Sequence, residues 1–251
     1  MILHRVDNGL VAIPPPARAL LAFQIAAHWG NRTTPRPCAR AEVLAAVLAG
    51  AVGLAGTEPQ HVQARRLLRS DSVTGAEREA MWTAVVARAA SQSRYVAYLV
   101  SHPVSDCAAV SQATHEEFLR GEEQRRAHLR EELVRDPRYA AALAPGADLV
   151  NRGVVRLADA LAALLARGDS SAATLPDLPQ RRGPVSLTIV PVDAYVRRLQ
   201  PWPLAGRRLI VHAEGCLLRG DRAADQSALS VAEGAGTTVR LSWTLLSASE
   251  V

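Results

Sequence analysis

Residues able to do chemistry are few in this chain. Seven histidines and three cysteines are spread over 251 residues. Cys38, Cys107 and Cys216 lie far apart in unlike contexts, so isolated buried thiols are expected in place of a disulfide framework or a clustered thiolate zinc site. There is no Gly-rich phosphate loop ending in Lys, no GxGxxG, no HExxH and no GxSxG. The nearest glycine cluster, Gly50, Gly53 and Gly56, contains no basic residue and follows no strand pattern, and its spacing suits close helix packing. His4, His61, His115, His128 and His212 read as surface or element-end residues, and Trp29, Trp82, Trp202 and Trp243 as core residues among aliphatics.

Charge and composition narrow the function classes. The formal charge is +5, and all 29 basic residues are arginine. The Arg-Arg pairs at 65–66, 125–126, 181–182, 197–198 and 207–208 are scattered and interleaved with acids, so no coherent nucleic-acid face is expected. With 49% hydrophobic residues the chain can bury a sizeable core. The N-terminus has no basic stretch leading into a long apolar run, and no window reaches the roughly 18 apolar residues of a membrane span. A cytoplasmic location is expected.

The elements that must position any site follow from periodicity. Ile2 to Val6 and Leu10 to Ile13 flank Asp7-Asn8-Gly9, a hairpin signal, and three prolines end the second strand. Leu20, Leu21, Phe23, Ile25 and Ala27 suit a helix ending near Gly30-Asn31. Residues 42–54 are almost continuously apolar, which argues for a helix buried on most sides. Thr74-x-x-Glu77 and Thr114-x-x-Glu117 are capping-box patterns. The run GEEQRRAHLREEL reads as a solvated helix with Glu122/Arg126 and Glu131/Arg135 at i,i+4. Asn151 reads as the cap of a further helix whose apolar stripe runs through Val154, Leu157, Leu161 and Leu165 to Gly168. Residues 169–184 have linker composition, and the period-2 alternation at Val185-Leu187-Ile189, Leu209-Val211 and Val239-Leu241-Trp243 predicts strands. The fold class expected is mainly α with a small β element: an N-terminal hairpin and helical body over 1–168, a linker over 169–184, and a small β-rich segment over 185–251 packed on the body.

Ala26-Ala27-His28-Trp29-Gly30-Asn31 resembles the hallmark of a bacterial family numbered 3891 among the domains of unknown function. Further matches are Tyr98-Leu99-Val100-Ser101-His102, the Phe118-Leu119 helix, Leu157-Ala158-Asp159-Ala160-Leu161 and Pro201-Trp202-Pro203-Leu204. The resemblance implies a helical core like that of HD-type metal phosphohydrolases. Where such members carry His-His-Asp-x-Gly-Trp, this chain reads Ala49-Gly50-Ala51-Val52-Gly53-Leu54, which offers no side-chain ligand. The expectation is a degenerate site with no metal and no cofactor, since zinc would need His28, His102 and Asp159 to converge without the central ligands.

At the family-like positions His28, His102 and Asp159 remain as catalytic candidates, with Trp29 and Asn31 as substrate-binding candidates at the rim. His102 would act as general base with Asp159 orienting it. Equally, His28 could cap a helix end, His102 line a core before Pro103, and Asp159 satisfy an arginine such as Arg156. The function expected is a metal-independent small-molecule-binding protein, either an enzyme of acid/base chemistry or ring closure in a specialised biosynthetic pathway or a non-catalytic partner subunit; a basic nucleic-acid module ranks third. The partners expected are a small organic molecule and, for the subunit reading, a second protein.

Overall fold

The computed structural model describes residues 2–56, 75–110, 115–218 and 237–248. The chain opens with the hairpin β1 (Ile2–Val6) and β2 (Gly9–Ile13), in which Val6 pairs with Gly9 across a two-residue turn. Helix α1 (Pro15–Ala27) starts on two prolines, whose fixed φ suits a first turn, and buries Ala19, Ala22, Ile25 and Ala26 along one stripe. Then come α2 (Arg40–Gly56), α3 (Gly75–Gln92), α4 (Arg94–Val110), α5 (Glu116–Val134) and α6 (Pro145–Arg167). The helix expected over 42–54 is thus present, with Val43, Ala46, Val47 and Ala49 buried, and α2 packs on α1, α3, α4 and α6. The capping residues Thr74 and Thr114 lie outside the described residues, as do His61 and the side chains of Cys107 and of residues 51–54.

The β part overturns the expected fold class. Strands β3 (Ala173–Leu178), β4 (Val185–Pro191), β5 (Val196–Gln200), β6 (Arg208–Leu218) and β7 (Thr237–Ser247) join the N-terminal hairpin in one seven-stranded sheet of order β1-β2-β6-β7-β5-β4-β3. All neighbours are antiparallel except β5 and β7. The fold is therefore a mixed helix–sheet architecture, not a mainly helical HD-type body with a small appended β element. The physical reason is that a two-stranded hairpin cannot bury enough surface alone. Leu10, Val11 and Ala12 of β2 pair with the far end of β6, joining the two ends of the sequence in one sheet. The segment expected as a linker holds the edge strand β3. Its register on β4 shifts between Leu175 and Leu178, where Asp177 adopts φ 58, and this irregularity hides the strand alternation.

Helix α6 is the spine of the molecule. It packs on α1, α2, α4, β1 and β3, and it ends at Gly168, whose left-handed φ of 72 lets its N–H reach Leu164 O and Leu165 O. A Cβ at Gly168 would stand 2.8 Å from the His4 ring, so this position also lets β1 approach the helix end. His4, expected near the surface, is instead buried in the middle of β1, with Nδ1 3.0 Å from Ala166 O. Asn151, expected as a cap, lies inside α6 and is fully buried. Among the described residues no helix is long and apolar enough to cross a membrane.

Candidate functional site

The two family-like segments His28 to Asn31 and Trp202 to Leu204 are one structural unit. Gly30 N–H donates to Pro203 O at 2.9 Å, Ala205 N–H donates to His28 O at 2.7 Å, and Trp29 bridges to Leu204. The Asn31 amide donates to Trp202 O at 2.7 Å and Leu204 O at 3.3 Å, while its Oδ1 accepts from Thr33 N, Thr33 Oγ1 and Thr34 N. Gly30 has φ 104, and a Cβ there would stand 2.3 Å from Arg36 Cγ. Trp29 is buried in the core, and His28 closes α1 as its C-cap with Nδ1 2.8 Å from Gln24 O. His28, Trp29 and Asn31 are therefore brought together: the backbone of His28 and Trp29 and the Asn31 amide hold this clamp, the His28 ring turns back onto α1, and Trp29 Nε1 is buried without a hydrogen-bond partner.

Asp159 is engaged elsewhere. Its Oδ1 lies 2.5 Å from Arg18 Nη1 on α1, while Arg156, the expected partner, donates to Pro176 O at 2.6 Å. No hydrogen bond joins Asp159 to His102 among the described residues, and the charges acting on His102 are Arg152, Arg126 and Arg130.

His102 sits on a polar face where α4 meets α5 and α6. Tyr98, His102 and Ser105 recur at i, i+4 and i+7 on α4, which places them in one row. The His102 ring meets the Tyr98 ring edge-on at 5.0 Å. The Tyr98 hydroxyl donates to Asp148 Oδ2 at 3.2 Å and accepts from Arg130 Nη1 at 3.1 Å. Asp148 is further paired by Arg152 Nε at 3.1 Å and Arg130 Nη1 at 3.6 Å. One turn on, Asn151 Nδ2 donates to Tyr95 Oη at 2.7 Å. Arg126 Nη1 donates to Ser101 O at 3.1 Å and to the Ser105 hydroxyl.

The electrostatics of this face differ from the expected His/Asp pair. Burial, reinforced by Arg152, Arg126 and Arg130, pushes the His102 imidazole down to about 3, so it is neutral at physiological pH. Burial and the Asp148 carboxylate raise the Tyr98 phenol, against the opposing pull of Arg130. Among the described residues, six side-chain atoms here are buried without a protein hydrogen-bond partner: Ser101 Oγ, His102 Nε2, Asp148 Oδ1 and Asn151 Oδ1 between α4 and α6, together with Glu122 Oε2 and Arg152 Nε. Two facing helices thus present hydroxyl, imidazole, carboxylate and amide groups with hydrogen-bonding capacity to spare.

Sequence reasoning missed Arg126, Arg130, Asp148 and Arg152. The charged run of α5 is not wholly solvated: Glu122 is 2% exposed and pairs with Arg125 at 3.3 Å, while Arg126 turns onto α4. A signal existed, because Glu122 and Arg126 are in phase with the buried Leu129 and Leu133 on the helical stripe.

Among the described residues no group of three or more His, Cys, Asp and Glu side chains is placed to hold an ion, and three guanidiniums act on His102. No curated protein and no solved structure matches the chain. The model of the family described as a protein of unknown function, DUF3891, matches residues 1–220, and the chain belongs to that family.

Proposed function

We propose that this chain is a metal-independent protein that binds a small polar organic molecule on the α4–α5–α6 face and carries out acid/base chemistry on it. The observation that carries the reading is the set of buried polar atoms without protein partners, Ser101 Oγ, His102 Nε2, Asp148 Oδ1 and Asn151 Oδ1. An unpaired buried polar group costs about 1–3 kcal/mol, so a solute that meets several of them at once gains what the fold alone forgoes. The neutral His102 imidazole, a weak base in this arginine field, serves as a hydrogen-bonding group to the ligand, and Tyr98, held between Asp148 and Arg130, is the group that can relay a proton.

The test is a thermal-unfolding screen of small polar metabolites against the purified protein in the presence of a chelator, with elemental analysis of the same sample. The expected result is stabilisation by at least one compound, abolished in His102→Leu, with no stoichiometric metal. About one zinc, iron or manganese per chain, or stabilisation equal in the variant, would overturn the reading.

A further inference from the structure

Resting on that reading, we propose that the ligand of this face is a small oxyanion gripped by Arg126, Arg130 and Arg152, and that its binding transfers one proton from solvent onto His102. The argument starts from a charge inventory. Helix α5 brings Arg125, Arg126 and Arg130 with Glu122, and α6 brings Arg152 with Asp148. Glu122 is taken by Arg125 at 3.3 Å, and Asp148 is shared by Arg130 and Arg152. Among the described residues the acceptors of Arg126 are neutral, Ser101 O and the Ser105 hydroxyl. Among the described residues four guanidiniums therefore face two carboxylates, an excess of two positive charges partly inside the helix packing.

Access and geometry suit an oxyanion. Asp148 is 7% exposed, whereas Arg130 and Arg152 are 43% and 35% exposed, so the guanidiniums run from the buried carboxylate out to solvent. Guanidinium forks match carboxylate, sulfate and phosphate oxygens in a bidentate fashion, which a metal or an amine does not exploit. A bound dianion would meet the excess charge and supply acceptors to the arginine donors.

The proton follows from the same charges. His102 is a neutral imidazole with a single ring N–H in the absence of an anion, because burial and the three arginines oppose a fourth positive charge. Among the described side chains of α4 the titratable group that meets His102 is Tyr98, and α2 and α3, which also pack on α4, bring no charge to bear on His102 among the described residues. A dianion offsets the arginine field, so the imidazole takes up H⁺ from the buffer, and Nε2, which has no protein partner, donates it as a hydrogen bond to a ligand oxygen. The only bonds that change are the N–H bond made on the imidazole and the bond by which the buffer acid held that proton.

Calorimetric titration with sulfate and with succinate, each in two buffers of different ionisation enthalpy at neutral pH, tests this. Sulfate has no titration of its own near neutrality, so its proton uptake reports the protein. Expected are millimolar or tighter binding, uptake approaching one proton per site, affinity reduced about tenfold or more in Arg126→Met and Arg130→Met, and uptake lost in His102→Gln while binding persists. Two arginine variants are used so that one poorly folded variant leaves the other decisive, and unfolding temperatures check both. No binding of either anion at about 10 mM overturns the inference, as does unaltered binding in both arginine variants or binding without proton uptake. If anions fail while a neutral compound stabilises the protein through His102, the small-molecule reading stands and the oxyanion is wrong.

Discussion

Arg18 on α1 and Asp159 on α6 form a 2.5 Å ion pair that ties the first helix to the spine of the fold. The pair commits the Asp159 carboxylate to Arg18, where the sequence reading had it orienting His102. Because Asp159 is 41% exposed, the pair is expected to contribute only about 0.5–1 kcal/mol, and a double-mutant cycle of Arg18→Met and Asp159→Asn should recover a coupling of that size. Ligand-induced stabilisation should survive in Asp159→Asn. Its loss there, to the degree seen in His102→Leu, would return Asp159 to the site.

The clamp between residues 28–31 and 202–205 predicts a different pattern. Asn31 uses both its amide hydrogens and its carbonyl within the fold, so Asn31→Ala removes donors to Trp202 O and Leu204 O together with acceptors for Thr33 and Thr34. The expected cost is about 1–3 kcal/mol by urea unfolding. Gly30→Ala should cost a similar amount for another reason, since φ 104 is a left-handed conformation and the new Cβ would collide with Arg36. Both variants should bind ligand normally once folded. Unchanged stability with lost binding would instead make Asn31 a ligand contact.

These residues show what was legible in the sequence. The helix ending at Gly30-Asn31 could be read locally, because glycine and asparagine stop helices by their own conformational preferences. That the Trp-Gly-Asn segment is zipped to the segment around Trp202 could not be read, because the pairing is made through backbone carbonyls, which carry no sequence label. The same holds for the sheet: β4, β6 and β7 show alternation in the sequence while β3 and β5 do not, and the union of β2 with β6 is a long-range pairing that periodicity cannot specify. His102 stands out in the sequence by type and position, and the structure sets arginines around it while Asp159 pairs with Arg18. Arg126 and Arg130 sit in a run whose composition reads as solvated, and only the phase of Glu122 and Arg126 with Leu129 and Leu133 betrays the inward turn.

The burial of His102 among arginines makes acid stability the sharpest test of the site's electrostatics. Its value of about 3 in the fold lies below the ordinary 6.5 that it regains on unfolding. Between those limits the unfolded chain binds a proton that the folded chain refuses, so stability falls as the pH is lowered through this window, by up to about 1.4 kcal/mol per pH unit. His4, also pushed down by burial, adds a slope of the same sign that any His102 variant retains. Glu122, raised by burial, acts oppositely, because acid relieves the penalty on its carboxylate. Urea midpoints measured from pH 7 to about 4 should therefore drop less steeply in His102→Gln than in the parent protein. The slopes must be compared, not the absolute values, since losing the ring against Tyr98 lowers stability at every pH. Parallel profiles for parent and variant would mean that the imidazole takes its proton in the fold as readily as out of it, and the neutral, arginine-ringed His102 on which the site rests would be wrong.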